Sequence, residues 1–228
     1  MVAVALWAAA GYGQSQEEWE GQIAAARAAL SDRIEIVDQV ITDDDLAQLR
    51  AVPELRTLII DSDSLITDRG IPQIRVLRGL EHLRIRGAQI RDDGLRELCR
   101  IKTLRILNLP QARFTDGGLN ALMDLAHLQL LRFGSPEVTD SGMATIAQIT
   151  WLRWLHLIDI PIGDAGLSHL KSLPNLESLY IDGSRVTSAG LEELFRDRPD
   201  LHVHLNQLHH DRDPRRNQLR HDRDLRRD

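Results

Sequence analysis

Apolar residues recur along this chain with a nearly constant period. The leucines Leu55, Leu80, Leu104, Leu128, Leu152, Leu176 and Leu201 are 25, 24, 24, 24, 24 and 25 residues apart. An earlier, degenerate unit fits when Ile34 and Ile36 are matched to Leu58 and Ile60, giving seven units between about residues 31 and 200. Within a unit the apolar positions are 1, 4, 6, 11, 16, 19 and 22. In the unit from Leu104 they are Leu104, Leu107, Leu109, Phe114, Leu119, Leu122 and Leu125. Positions 4 and 6 alternate, which is strand spacing, while 16, 19 and 22 share one face of a helix or 3₁₀ segment. Each unit therefore predicts a short strand, a turn, a short helix and a return. One such unit buries too little to offset the ordering of its backbone, so the units must stack and share their apolar edges.

A polar phrase is superimposed on this period. It reads "ITDDDLAQL" from Ile41, "ITDRGIPQI" from Ile66, "IRDDGLREL" from Ile90 and "FTDGGLNAL" from Phe114. It continues as "VTDSGMATI" from Val138, "IGDAGLSHL" from Ile162 and "VTSAGLEEL" from Val186. Thr42, Thr67, Thr115, Thr139 and Thr187 stand where the helix begins and are expected to cap it. Asp43, Asp68, Asp92, Asp116, Asp140 and Asp164 are expected to face the positive end of the helix dipole, with Ser188 replacing the last of them. Glycine follows early in six helices, where the missing side chain lets neighbouring coils approach; the first unit has Asp45 instead. A calcium ladder is excluded, because one carboxylate per coil supplies too few oxygens.

These residues resemble leucine-rich repeats. The likeness is carried by "LRWLHLIDIPIGDAGLSHLKSLPNL" and "LPNLESLYIDGSRVTSAGLEELFRDRPDL". The I/V-T-D-x-G-L phrase is similar to that of the cysteine-containing subclass and its bacterial relatives. The resemblance spans roughly residues 31–205. The polar turn position after the strand, often Asn or Cys in the family, is here Ala88, Ala112, Pro136, Ile160 and Ser184. The turns should therefore be held by packing rather than by an asparagine ladder. The resemblance implies an α/β leucine-rich-repeat solenoid, a right-handed curved horseshoe segment. Short parallel strands would line its concave face and short helices its convex face. Strands stack at about 4.8 Å and helices need about 10 Å, so the helical side must fan outward.

Composition narrows the rest. The chain has 228 residues, 43% apolar and only 4% aromatic, so aliphatic side chains must build the core. A net charge of −6 argues against a general nucleic-acid binder, although Arg84, Arg86 and Arg132 could meet phosphates. The single cysteine, Cys99, excludes an internal disulfide and reads as a small buried hydrophobe. Residues 1–13 contain an apolar run that reads as a signal or anchor segment, too short to span a bilayer. Export or envelope association is accordingly expected over a cytoplasmic location. Residues 14–30 read as a capping helix, with Trp19, Ile23, Ala26 and Leu30 on one face. Residues 31–205 form the repeat domain, with "LHVHL" as its last strand. Residues 206–228 are a charged tandem duplication expected to be disordered. Its His209, His210, Asp211, His221 and Asp222 are weak metal-binding candidates beside the plainer reading of a solvated polyampholyte.

The family is similar to a scaffold for protein recognition, usually through the concave sheet. Alternation places unit positions 3, 5 and 7 on that face. The residues selected for partner binding are Arg84, Arg86, Arg132, Trp154, His156 and Tyr180, because Trp and Arg on a rigid surface are the usual anchors of an interface. The expected molecule is a monomer without cofactor, metal or catalytic residues that binds a protein partner. One alternative is a structural or cell-envelope repeat protein without a concave ligand. The other is a hydrolase built on Ser178, His156 and Asp182, for which an open sheet offers no water-excluding cleft.

Overall fold

The computed structural model describes residues 18–206 and the strand Leu208–His209. The 24-residue period becomes one strand per unit. The strands are β1 (Arg33–Ile36), β2 (Thr57–Ile60), β3 (His82–Ile85), β4 (Ile106–Leu109), β5 (Leu130–Phe133), β6 (Trp154–Ile158), β7 (Ser178–Asp182) and β8 (His202–Leu205). They lie side by side in chain order as one open parallel sheet, and β9 (Leu208–His209) adds an antiparallel edge. The sheet thus runs two residues into the segment expected to lack structure. The register matches the repeat alignment: Arg33, Thr57, His82, Ile106, Leu130, Trp154, Ser178 and His202 are successive partners. In the unit from Leu104, all seven predicted apolar positions are buried, none more than 1% exposed.

Residues 18–27 are helical (α1). The returns carry α2 (Ile71–Ile74), α3 (Asp92–Leu98), α4 (Asp140–Ile146), α5 (Asp164–Leu170) and α6 (Ser188–Asp197). Two returns, Asp45–Ala51 and Gly118–Asp124, are 3₁₀ segments. The second begins on the Gly117-Gly118 pair, whose backbone freedom disfavours an α-helical start. Ala88, Ala112 and Ile160 are buried, so these three turn positions are held by packing as expected, whereas Pro136 is exposed and Ser184 is half-buried and accepts a hydrogen bond from Val186 N.

The aspartates do more than their own helices ask of them. Asp92, Asp140 and Asp164 sit in the first turn of their helices, but the carboxylate oxygens are engaged by the following coil. Thr67 donates its N–H to Asp43 Oδ1 at 2.8 Å and its hydroxyl to Oδ2 at 2.7 Å. The same two-point bridge joins Thr115 to Asp92, Thr139 to Asp116 and Thr187 to Asp164. Arg91 and Gly163 lack the hydroxyl and keep the backbone half, to Asp68 and Asp140, each at 2.8 Å. The threonine cap survives alongside: Thr139 Oγ1 accepts from Ser141 N, and Thr187 Oγ1 from Gly190 N. Backbone bonds run parallel to this track, from Leu65 N to Ile41 O, Gln89 N to Ile66 O, Arg113 N to Ile90 O and Arg185 N to Ile162 O.

The carboxylate also explains the glycine. A Cβ on Gly118 would lie 2.3 Å from Asp92 Oδ1, and one on Gly190 would lie 2.2 Å from Asp164 Oδ1. Coil one has no coil before it, and there the glycine position is filled by Asp45. Its Oδ2 accepts from Thr42 N at 2.9 Å and from Thr42 Oγ1 at 2.7 Å, replacing the missing neighbour.

The first coil is closed by α1. Trp19 is fully buried, Ile23 is buried and Ala26 packs against the core. The Gln22 amide meets the outer edge of β1: its Nε2 donates to Glu35 O at 2.6 Å and its Oε1 accepts from Glu35 N at 2.7 Å. Leu30 departs from the expected face. It is 80% exposed, because the helix stops short of it and Ala29 turns left-handed at φ 56°.

Two outcomes follow. Asp92→Ala is expected to lower the unfolding free energy by about 2 kcal/mol, and Gly118→Ala by about 1–3 kcal/mol through overpacking. Denaturant unfolding of the double variant should show at least ~1 kcal/mol less than the sum, because removing the carboxylate makes room for the methyl group. The second concerns acid. The Thr187 backbone N–H, and then its hydroxyl, hold the Asp164 carboxyl below its ordinary value of 3.8. A depressed folded value means that this bridge stabilises at pH above 3.8 and is lost as pH falls through the lower folded value. Acid unfolding curves of wild type should therefore fall towards those of Asp164→Asn as pH drops below that point.

Candidate functional site: the concave sheet face

Unit position 5 forms one row across the sheet. Arg84, Asn108, Arg132, His156, Tyr180 and His204 are successive register partners on β3 to β8. Side chains of in-register parallel strands stand one strand spacing apart, about 4.8 Å, so they pack flank to flank. That crowding buries Arg84 (8% exposed) and Asn108 (2%) in this row, and His82 (9%) and His202 (5%) in the neighbouring position-3 row, despite their polarity.

The structure places the six selected residues differently. Arg84 on β3 is clasped by Asp61, its Nη2 2.8 Å from both carboxylate oxygens. Arg86 stands just beyond β3, exposed, with Nε 4.0 Å from Asp63 Oδ1. Arg132 on β5 is half-buried between Asn108 and His156. Trp154 on β6 is half-buried, and the Arg153 guanidinium lies 4.3 Å from its ring centre. His156 Nε2 is 2.9 Å from Asp182 Oδ2, and its ring is 5.3 Å from that of Tyr180. Arg132, His156 and Tyr180 are thus brought together in one row. Trp154 is one pair removed, opposite Leu130 and Ser178, and Arg86 lies apart.

Two residues of this face were missed by sequence reasoning. His204 stacks on Tyr180, centroids 4.3 Å apart and planes within 7°, and His202 meets His204 edge-on at 4.7 Å. The signal was the alternation in "LHVHL", which sends both histidines to one face of β8.

The constellation of Ser178, His156 and Asp182 does not assemble as a triad. A triad leaves Nε2 of the histidine to the serine and Nδ1 to the acid. Here Asp182 takes Nε2, Nδ1 is buried without a hydrogen bond, and Ser178 stands opposite Trp154 rather than His156. Cys99 is 1% exposed, and burial, reinforced by Asp124, pushes its thiol up to about 12. It is a neutral packing group at ordinary pH. Among the described residues, no helix is long and apolar enough to cross a membrane, and no group of three or more His, Cys, Asp or Glu is placed to hold a metal. The side chains from residue 207 onward, including the tail histidines, lie outside the described residues, as do residues 1–17.

Residues 78–99 match a family model described as Leucine Rich repeat. No curated protein matches the chain. Among solved structures, internalin C2 from Listeria monocytogenes is similar, at 24% identity and a TM-score of 0.54, over 76% of this chain and 70% of that one. An LRR protein of Leptospira interrogans shares 15% identity over 75% of this chain and 48% of its own length, with a TM-score of 0.49. The chain thus spans about half the length of that protein. The internalin C2 likeness concerns the fold, which agrees with the unit found here by its own register: one strand and one helical return every 24 residues, with a leucine-rich core running through all of them. The chain thus has the fold of a leucine-rich-repeat solenoid, and one of its units, residues 78–99, matches the repeat of that family.

Proposed function

We propose that this chain is a non-enzymatic protein-interaction module that seats a protein partner on the concave sheet. Arg84, Arg86, Arg132, Trp154, His156 and Tyr180 would make the contacts. The observation that supports this reading is the preorganised row on β3 to β7. Asp61 holds Arg84, Asp182 holds His156, and the rings of His156 and Tyr180 lie against each other. Large side chains already fixed in one conformation lose little entropy when a partner docks. Arg84 is mostly buried, so its contribution is to fix Asp61 and the face of the row. Arg132, Trp154 and Tyr180 offer the accessible cation and rings from which interface anchors are made.

The same geometry supports the module over the hydrolase. A catalytic histidine must exchange a proton with a nucleophile, whereas both nitrogens of His156 are committed or enclosed. Affinity capture from the source organism should recover a protein with wild type. Recovery should fall by about tenfold or more with Trp154→Ala plus Arg132→Ala, each truncation weakening a central contact by 1–2 kcal/mol or more. Circular dichroism should show the fold retained. Equal capture by both forms would remove the concave-face assignment and leave a structural repeat protein.

A further inference from the structure

We propose that His202 and His204 form a chelating site for a divalent transition-metal ion of the copper(II) or nickel(II) type at the C-terminal end of the concave face. The two residues are i and i+2 on β8, so their side chains leave the same face of the sheet. Their Nε2 atoms converge to 2.8 Å, with ring planes at 67°. Two imidazole nitrogens at about 2.0–2.1 Å from one ion are separated by about 2.9 Å when they bind at a right angle, and by about 3.3 Å in a tetrahedron. The 2.8 Å hydrogen-bonded spacing is closer to the right-angle value, so the smaller adjustment leads to tetragonal copper(II) or nickel(II) rather than to tetrahedral zinc.

The surroundings suit such a pair. His204 is stacked on Tyr180 at 4.3 Å, which fixes its ring plane. His202 is 5% exposed and wedged edge-on against His204. Ring contacts of this kind hold both imidazoles in fixed planes, so little conformational freedom remains to be lost on binding. His204 is the more accessible of the two, so an ion enters from the concave side. Without metal, one Nε2 donates its hydrogen to the other. On binding, solvent carries that hydrogen from Nε2 to Nδ1 of the same ring, so both imidazoles stay neutral and both Nε2 lone pairs face the ion. Water completes the coordination, because no third ligand stands close among the described residues.

The test must separate this pair from the tail histidines, so it begins with full-length protein carrying His209→Asn, His210→Asn and His221→Asn. Copper(II) titrated into this background, in a non-chelating buffer, should bind one equivalent. The electron paramagnetic resonance spectrum should be tetragonal with coupling to two nitrogens. Adding His204→Asn should weaken binding at least about tenfold, since even outer-shell changes weaken metal sites by that much. The two-nitrogen coupling should be lost with it. His202→Asn should do the same, with thermal unfolding used to confirm that both variants fold. A background that fails to bind copper(II), or one that binds it equally with His204→Asn, overturns the proposal.

Discussion

The stack depends on one contact repeated six times: an aspartate carboxylate of one coil accepting hydrogen bonds from the residue that starts the helix of the next. Parallel strands alone tie the coils along one side. The carboxylate bridge ties them at the opposite corner, where each chain leaves its turn and begins its helix. A carboxylate is well suited to the task. It offers two acceptors, one for the backbone N–H and one for the hydroxyl, and an ionised acceptor makes the stronger kind of hydrogen bond. The bridge fixes the distance between helical returns, and the glycine of the next coil is what that distance requires.

The same contact accounts for where the repeat departs from its own pattern. Among the described residues the first coil follows a helix rather than another coil, and its glycine position carries Asp45, which serves Thr42 from within. The seventh unit, the last with a full helical return, carries Ser188 where the earlier units carry the bridging aspartate. Both exceptions fall where a bridge would lack one of its ends. Variation of this kind in a repeat is a statement about neighbours rather than about the unit in which it occurs.

Much of the fold was legible because a strict period puts equivalent residues at equivalent places. The register of β1 to β7, the buried positions and the packed turns at Ala88, Ala112 and Ile160 follow from the spacing of leucines, while Pro136 and Ser184 stay outside that packing. The partner of each aspartate was not legible in the same way. Local reasoning assigns a polar side chain to its own helix, whereas Asp92 reaches Thr115, 23 residues on. Leu30 misled for a related reason: its spacing fits the helix face, but a left-handed residue before it ends the pattern. On the concave face, alternation named the row, but not which members become enclosed. Arg84 is covered by its neighbours and clasped by Asp61, an outcome of crowding between strands that no single strand encodes. His202 and His204 belong to a strand beyond the last full unit, where counting repeats stops being informative.

The Gln22 side chain has a consequence for how the molecule avoids growing. A stack of identical coils has no intrinsic reason to stop, and an uncovered outermost strand offers its N–H and C=O groups to any other chain of the same kind. The primary amide of Gln22 presents a donor and an acceptor to Glu35 as a peptide group would, so it stands in for the missing strand without being one. Taking that amide away would leave the edge hungry for a substitute. The nearest chemical match is another peptide backbone, so an edge without that amide would favour the addition of a strand.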